Sequence, residues 1–308
     1  MLRNLDEVIA AARSRGPVRI AVASGHDPDV IESLKQAADM GLAEGIFIGN
    51  TDKIRAMAAA SGLAIPPERL IDERDEAAAA RKAIAYVRAG EATLLMKGKL
   101  ATATLIRSVL DKEAGLRTGR LLSQVIVFEA PGFDRLMLMS DAAINIAPGL
   151  EQKAEICRNA IQVAHALGIE RPNLAALCAL EFVNPEMPAT MDAAGLTLMN
   201  RRGQITGAYI EGPVALDVPL SAFAAGRKNI ESPLVGNTDI FICPNIEAAN
   251  ILYRAILYFA HGESGGIVVG AKVPLVLLSR AETPQTKIRS IAIGILLAQA
   301  QASTAGAR

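Results

Sequence analysis

The chain has 308 residues, of which 51% are hydrophobic and 21% are charged. This composition excludes a peptide hormone, a disulfide-stapled miniprotein and a disordered protein, because it supplies enough apolar surface for two domains or one large α/β unit. The 32 basic side chains balance the 32 acidic ones, so no global field favours nucleic acid or an anionic membrane as a partner.

Short runs rich in Val, Ile and Leu alternate along the chain with longer Ala-rich segments of helical period. This alternation predicts an α/β fold of mostly parallel sheets with flanking helices, because strands covered on both faces are continuously apolar. The predicted strands are Val18–Ala23, Gly45–Ile48, Thr93–Met96, Gln124–Phe128, Leu174–Leu180, Ile205–Ile210, Asp239–Cys243, Gly266–Val269 and Leu275–Leu278. The predicted helices are Asp29–Met40, Asp52–Ala60, Arg74–Arg88, Leu150–Leu167, Pro185–Met199, Asn245–His261 and Pro284–Ala302.

Cysteine usage and the N-terminal segment predict a cytoplasmic protein. Cys157, Cys178 and Cys243 lie far apart and form no CxxC pair, which is typical of reduced thiols. The N-terminal segment carries charges where a signal peptide has its apolar core. The charge-free stretch Ser290–Ala307 contains Ser and Gln side chains, and it predicts a packed amphipathic helix rather than a membrane span. Cys243 ends a predicted strand and is the one thiol that merits a test as a nucleophile.

The segment Gly265–Lys287 carries the first candidate site. Ser279 and Arg280 come directly after its second predicted strand. Ligands of open α/β sheets bind at the carboxyl ends of strands, so this Ser-Arg pair has a functional position. A guanidinium there can bind a phosphate through two hydrogen bonds, or stabilise negative charge on a carbonyl oxygen. The alternative is a surface arginine that bridges a loop.

The second candidate site follows the predicted strand Thr93–Met96. Gly98 forms a turn, and Thr102 stands at the start of a helix that contains Arg107. This arrangement resembles an anion-binding helix N-terminus, where free N–H groups face the ligand. No complete GxxxxGK[ST] or GxGxxG motif is present, which argues against a P-loop and against the dinucleotide fingerprint. Alternatively, the lysines beside Gly98 are no more than solvated charges.

Two asparagines flank the predicted strand Asp239–Cys243, with Asn237 before it and Asn245 after it. Asn245 can cap the following helix, whereas a polar contact with a substrate is the other interpretation of both residues. His26 follows the first predicted strand and could face a cleft, but no HxxE or HxxxH partner accompanies it. We therefore expect no metal site, and the lack of a GxSxG elbow argues against a serine triad.

Six blocks of the sequence, taken in their order along the chain, allow a comparison with known families. They are GLAEGIFIGN, MKGKLATATLIRSVLDKEAGLRTG, VIVFEAPGFDRLMLMSDAAINIAP, EGPVALDVPLS, PLVGNTDIFICPNIEAANILYRAI and VPLVLLSRAET. In this order they resemble the phosphate acetyl/butyryl transferase family, and its butyryl branch more closely. The resemblance covers essentially the whole chain, and the last three blocks are the more specific.

The resemblance implies a two-domain protein of the isocitrate/isopropylmalate dehydrogenase shape. Its first α/β domain would comprise residues 1–145 and 267–308, and residues 146–266 would form an inserted second α/β domain. A composition change at Asn145–Gly149 also favours the first boundary. The implied reaction is reversible: acyl-CoA and inorganic phosphate give an acyl phosphate and CoA, with a butyryl or acetyl group. CoA is then a substrate, no metal or redox cofactor is needed, and a homodimer or higher homo-oligomer is expected.

The resemblance also assigns roles to individual residues. Ser279 and Arg280 match the family's catalytic Ser-Arg pair, and Arg107 matches an arginine implicated in substrate binding. Together with Gly98 and Thr102, Arg107 is therefore expected to bind substrate.

The base that activates the CoA thiol is the least certain of these roles. The acetyl branch has an aspartate as the proposed base, and Thr286 stands in that place here. The butyryl branch has an acidic residue close behind the arginine and a lysine further on, which match Glu282 and Lys287. Glu282 is therefore the candidate base, and Lys287 is expected to bind substrate. The alternative for Glu282 is a solvent-facing carboxylate that merely favours the N-terminus of the next helix.

Two other functions are compatible with the same fold. A dehydrogenase would need a metal and NAD, and the sequence offers no aspartate set for a divalent metal. A non-catalytic protein that binds acyl-CoA or acyl phosphate would bind tightly without turnover. Acyl-chain length depends on pocket shape, since one methylene changes the binding free energy by only about 1–3 kcal/mol.

Overall fold

The computed structural model describes residues 1–277 and 282–306. Contacts divide the chain into two compact units, which we name the central unit and the terminal unit. The central unit comprises Met1–Leu5 and Leu121–Ser264, and the terminal unit comprises Asp6–Arg120 and Gly265–Arg308. The chain thus leaves the terminal unit once and returns to it. The boundaries predicted from the sequence stay predictions, because a division by contacts does not test which segments fold together.

The α/β class with mostly parallel strands and flanking helices is confirmed. The strands of the described residues are β1 (Val18–Ala23), β2 (Ala43–Gly49), β3 (Leu70–Asp72), β4 (Leu94–Lys97), β5 (Ser123–Glu129), β6 (Met137–Ser140), β7 (Asn173–Leu177), β8 (Tyr209–Val214), β9 (Ile240–Ile242), β10 (Glu263–Val269) and β11 (Leu275–Val276). The α-helices are α1 (Leu5–Arg13), α2 (Pro28–Asp39), α3 (Thr51–Ser61), α4 (Glu76–Arg88), α5 (Thr102–Val109), α6 (Leu150–Ala166), α7 (Pro188–Arg201), α8 (Asp217–Leu220), α9 (Ala222–Arg227), α10 (Ile246–Tyr258) and α11 (Pro284–Gly306).

The strands of the terminal unit follow the order β3-β2-β1-β4-β11-β10. Neighbouring strands are parallel, except for the antiparallel pair of β10 and β11. Ile20, Val22 and Leu95 are fully buried, and burial of such a side chain contributes about 1.5–3 kcal/mol to the free energy of unfolding. The register pairs Ala23 of β1 with Lys97 of β4, so these two strands end side by side.

The helices of the terminal unit form two groups. Helix α2 packs against α3 and α11, whereas α4 packs against α5. Crossovers between parallel strands are right-handed, so the steps from β1 to β2 and from β2 to β3 place their helices on one face of the strands. The step from β3 back to β4 runs in the opposite direction and places α4 on the other face. The direction of winding therefore reverses between β1 and β4.

Most helices that follow a strand in this unit begin at a side-chain cap. The side chains of Asp27, Asn50 and Asp75 accept hydrogen bonds from the first-turn N–H groups of α2, α3 and α4. Each such cap stabilises its helix by about 1 kcal/mol. Helix α5 differs, because its cap position is Ala101, whose side chain makes no hydrogen bond. The first-turn N–H groups of α5 therefore have no side-chain acceptor at the cap.

The strands of the central unit follow the order β5-β6-β9-β7-β8. Strands β5 and β6 are antiparallel, and the other neighbours are parallel. One face carries a core in which Phe128 and Phe241 lie 6.5 Å apart between ring centroids, with Tyr253 of α10 packed in the same cluster.

The structure corrects one predicted strand and adds two short ones. The predicted strand Ile205–Ile210 is wrong, because the strand begins at Tyr209 and continues through Pro213. Asn200 donates to the carbonyl oxygen of Ile205 and holds that residue in the preceding turn. Proline is compatible with β8 because β8 ends the strand order and has a partner on one side only. Strands β3 and β6 are additional.

Candidate functional site

The carboxyl ends of β1 and β4 mark a candidate site in the terminal unit. Their chain directions are parallel and they are direct neighbours, but the helices that follow them belong to the two different groups. In open α/β sheets, ligands bind in the crevice outside such a pair of strand ends, where the winding reverses. We name this place the switch crevice. It is bordered by the segment after β1, residues 24–27, and by the segment after β4, residues 98–102.

Backbone hydrogen bonds tie these two segments together. The N–H of Gly98 donates to the carbonyl oxygen of Ala23 at 2.8 Å, and the N–H of Lys99 donates to that of Ser24 at 2.8 Å. A Cβ atom on Gly98 would overlap the carbonyl oxygen of Ser24 and lie 2.8 Å from that of Ala23. Only glycine permits this approach. Gly98, predicted to bind substrate, therefore uses its N–H within the fold and shapes the crevice by lacking a side chain.

Thr102 and Arg107 stand at the two ends of α5. Thr102 is the first helical residue and is exposed, and the uncapped first turn can accept an anion. Arg107 is exposed in the last turn, and among the described residues its guanidinium makes no hydrogen bond or ion pair. Binding a ligand through this guanidinium costs little free energy, because no existing hydrogen bond or ion pair has to break first. The predicted binding roles of both residues stay predictions.

The Ser-Arg pair follows β11, which is the other neighbour of β4. Ser279 and Arg280 themselves lie outside the described residues. Val276 of β11 pairs with Met96 of β4, so β11 and β4 end at the same edge of the strands. The described residues on either side of the pair, Leu277 and Glu282, are both buried.

Glu282 and Lys287 are held inside the terminal unit. Glu282 is 7% exposed and Lys287 is 4% exposed. The ammonium of Lys287 donates to the backbone carbonyl of Glu282 at 2.7 Å, and it lies 3.9 Å from the carboxylate of Asp29 on α2. The first turn of α11 is capped by Thr283, whose hydroxyl accepts from the N–H of Thr286. Glu282 is therefore not the solvent-facing carboxylate that its alternative interpretation supposed, and its role as the base stays a prediction.

The two candidate asparagines belong to the central unit and have different surroundings. The side chain of Asn245 accepts a hydrogen bond at 2.9 Å from the N–H of Ala248, which confirms it as the cap of α10. Asn237 precedes β9 and donates to the carbonyl oxygen of Val235 within a turn. It thus lies at the amino end of the parallel strand, away from the end where ligands bind. Both side chains thus have structural roles, and the substrate contacts predicted for them stay predictions.

His26 is the residue of the switch crevice to which the sequence assigned no role. It lies between β1 and the cap residue of α2, and it is partly buried. Its Nδ1 atom is buried and has no hydrogen-bond partner among the described residues. Burial lowers the pKa of His26, and the ammonium groups of Lys53 and Lys99 lower it further. The imidazole is therefore neutral over a wider pH range than usual.

The three thiols are poor nucleophiles in this structure. Burial raises the pKa of Cys243 to about 12, and the carboxylate of Asp141 adds to the shift. Burial also raises the pKa of Cys157 to about 12 and that of Cys178 to about 11. Since the thiolate is the reactive form, Cys243 does not suit the nucleophilic role considered for it.

None of the helices within the described residues combines the length and the apolar character that crossing a membrane requires. The described side chains also include no group of three or more His, Cys, Asp or Glu residues arranged to hold a metal ion.

Comparisons with known proteins agree with one another. Residues 74–295 match the model of the family described as "Phosphate acetyl/butaryl transferase". A phosphate butyryltransferase of Clostridium acetobutylicum is 43% identical over 298 residues, covering 97% of this chain and 99% of that protein. A phosphate acetyltransferase of Thermotoga maritima is 41% identical over 294 residues, covering 96% of this chain and 99% of that protein. The crystal structure of a branched-chain phosphotransacylase from Enterococcus faecalis V583 is 32% identical, covers 91% of this chain and 99% of its own, and has a TM-score of 0.78.

Proposed function

Since this chain belongs to the phosphate acetyl/butyryl transferase family, we propose that it transfers a short acyl group reversibly between CoA and inorganic phosphate. The observation that carries the proposal is the 43% identity to a phosphate butyryltransferase over 97% of this chain. The acyl group is butyryl or acetyl, because relatives of both names match with similar identity. CoA acts as a substrate, and the chemistry below requires neither a metal nor a redox cofactor.

The proposed reaction is an acyl transfer through a tetrahedral intermediate. A phosphate oxygen attacks the thioester carbonyl, the C–S bond breaks, and CoA leaves as a thiolate that takes up a proton. In reverse, the CoA thiolate attacks the carbonyl of the acyl phosphate and phosphate leaves. Arg280 stabilises the oxyanion together with backbone N–H groups of the segment that contains Ser279, and binding both substrates at one site removes the entropic cost of their encounter.

The proton of the CoA thiol requires a base. A free thiol has a pKa of about 8.5 and is mostly protonated at neutral pH. Glu282 is the proposed base, two residues behind Arg280. Lys287 is given a positioning role instead of the predicted substrate contact, because its buried ammonium already donates to the carbonyl of Glu282. That hydrogen bond ties Glu282, the second residue after the Ser-Arg pair, to α11.

Phosphate groups of the substrates are proposed to bind at the uncapped first turn of α5 and at Arg107. The free N–H groups there suit an anion, and a planar guanidinium binds phosphate oxygens in pairs. Gly98 contributes through the close approach of the two segments. Asn237 and Asn245 are left out of the proposed site, because a turn and a helix cap account for them.

The wider setting of the enzyme is also part of the proposal. The return of the chain to the terminal unit supports the two-domain arrangement of the isocitrate/isopropylmalate dehydrogenases. A homo-oligomer is supported by α10 and the residue after it, where Ile251, Tyr258 and Phe259 are 69%, 64% and 87% exposed. Three free cysteines favour the cytoplasm.

The function is tested by release of CoA thiol from acetyl-, propionyl- and butyryl-CoA in the presence of inorganic phosphate. We expect phosphate-dependent release with at least one of these substrates, and formation of the acyl phosphate in equal amount. Tight binding of acyl-CoA without any release would indicate a binding protein instead. Turnover that requires both a divalent metal and NAD would indicate a dehydrogenase.

Replacing Glu282 by Gln removes the proposed base and keeps the size of the side chain. We expect Glu282→Gln to slow thioester formation from acyl phosphate by roughly 10²–10⁴ at pH 7, the usual contribution of a general base. Raising the pH towards about 8.5 should recover part of the rate, because the thiol then ionises without help. The pH–rate profiles of the variant and the wild type check this expectation.

The matched control is Glu91→Gln, which changes an exposed carboxylate just after α4 in the same unit. It should leave both rate and profile as in the wild type. A Glu282→Gln profile with the same shape and height as the wild-type profile would remove Glu282 from the mechanism.

Replacing Arg107 by Ala removes the exposed guanidinium of α5. We expect the KM of phosphate or of CoA to rise by about tenfold or more, since a hydrogen bond to a charged group contributes about 1.5–3 kcal/mol. The fall in kcat should be smaller than this rise, as for a group that binds ground state and transition state alike. Arg81→Ala, an exposed arginine of α4, is the control. A loss confined to kcat would move Arg107 into the catalytic set.

A further inference from the structure

His26 occupies a position that the proposed mechanism does not use. It lies in the short connection between β1 and α2, on the β1 side of the switch crevice. The backbone around it is fixed, since the N–H of Gly25 donates to the carbonyl of Ile48 at 2.9 Å and that of Asp27 donates to Gly25 at 3.0 Å. The imidazole is thus carried by a rigid turn at the place where α/β proteins of this topology bind ligands.

The surroundings of the ring decide which nitrogen can donate to a ligand. Nδ1 faces Gly49 at the end of β2. A Cβ atom added to Gly49 would lie only 3.2 Å from Nδ1. This nitrogen is buried and unpartnered among the described residues. With the proton on Nδ1, this donor would stay buried without an acceptor in the described part of the chain. Nε2 is not one of the buried atoms that lack a partner, so the tautomer with its proton on Nε2 is the one whose donor can reach a ligand.

The charges near the ring favour an anionic partner for that donor. The positive charges of Lys53 in α3 and of Lys99 in the segment after β4 lower the pKa of His26. The negative charges of Glu76 and Asp27 raise it, but by less. Lysine ammonium groups from two different elements thus act on a single neutral N–H donor. Burial and these lysines lower the pKa of the ring, so the neutral donor form persists at neutral pH.

We propose that His26 donates a hydrogen bond from Nε2–H to a phosphoryl oxygen of a substrate bound in the switch crevice. This inference rests on the proposed function, because the substrates of that reaction are the source of phosphoryl oxygens. Two sources share this chemistry: the phosphate that is transferred, and the phosphates of CoA. The donor contributes to binding and orientation, and it takes no part in bond making or breaking.

Two amide variants separate the two ring nitrogens. The amide nitrogen of Gln reaches about as far as Nε2 of histidine, whereas that of Asn reaches only as far as Nδ1. We expect His26→Asn and His26→Ala to weaken binding of a phosphorylated ligand by about tenfold, the effect of one hydrogen bond to a charged group. His26→Gln should keep the affinity within about threefold of the wild type. In turnover, the losses should appear in KM more than in kcat.

Calorimetric titrations with inorganic phosphate, CoA and dephospho-CoA identify the source of the phosphoryl oxygen. If His26→Ala weakens the binding of inorganic phosphate, His26 contacts the transferred phosphate. If it weakens the binding of CoA but not of dephospho-CoA, His26 contacts the 3′-phosphate. Weaker binding of both CoA and dephospho-CoA indicates a contact with the pyrophosphate. His261→Asn, a change at an exposed histidine of the central unit, is the control and should bind all three ligands as the wild type does.

Two binding results would overturn the inference: wild-type affinity of His26→Ala for all three ligands, and equal weakening by His26→Gln and His26→Asn. A ¹⁵N NMR spectrum would also overturn it by placing the His26 proton on Nδ1 or by showing an imidazolium at pH 7. The proposed function is judged separately, by thiol release from acyl-CoA in the wild type, so an active wild type with an indifferent His26 refutes this inference alone.

Discussion

Replacing Arg280 by Ala should lower kcat by about 10²–10³, because removing one donor to the oxyanion costs about 2.7–4 kcal/mol of transition-state stabilisation. The loss should appear in both directions of the reaction, since both pass through the same tetrahedral intermediate. Thiol release from butyryl-CoA and acetyl-CoA measures the forward direction, and thioester formation from acyl phosphate measures the reverse.

The conservative variant Arg280→Lys tests whether geometry or charge matters. A lysine supplies one ammonium in place of the planar fork that binds two oxygens, so it should restore little activity. Circular dichroism and the melting temperature of both variants establish that the fold is intact. Normal turnover of an Arg280→Ala protein with wild-type stability would end the assignment of this residue to the oxyanion.

Much of the fold could be predicted because the sequences of buried parallel strands are continuously apolar. Val18–Ala23 was predicted with its observed bounds, since Gly16 and Pro17 precede it and Ser24 and Gly25 follow it. Strand β3 could not be predicted, because three residues carry no periodicity. Strand β8 was misplaced because a proline normally ends a strand, and only its edge position explains why Pro213 is tolerated.

The candidate site was predictable where a motif lies at a strand end and unpredictable where the role depends on packing. The turn at Gly98 and the helix start at Thr102 could be recognised from the local sequence. The burial of Lys287 against the carbonyl of Glu282 depends on how α11 packs on α2, which no local pattern reports. The switch crevice depends on strand order, so the position of β1, which His26 follows, beside β4 also had to come from the structure.

Gly98 offers the strongest structural test of the switch crevice. In Gly98→Ala the new methyl group would meet the backbone of Ser24 and Ala23, which cannot move aside as a flexible side chain can. We expect the free energy of unfolding to fall by about 3 kcal/mol, at the upper end of overpacking changes, because β1 and β4 must separate. The melting temperature should drop by roughly 6–12 °C. Catalytic activity should fall as well, since both borders of the crevice shift.

The matched control is Gly226→Ala. Gly226 lies in α9, has a helical conformation, and a Cβ atom on it would meet no atom within 4 Å. This substitution should leave activity unchanged and raise stability by up to about 1 kcal/mol, because alanine has the higher helix propensity. Amide hydrogen exchange gives a second readout, since the N–H groups of Gly98 and Lys99 donate to the end of β1. Faster exchange at these two amides in Gly98→Ala would locate the damage at the crevice, whereas wild-type exchange and wild-type stability would show that the close approach is not what requires glycine.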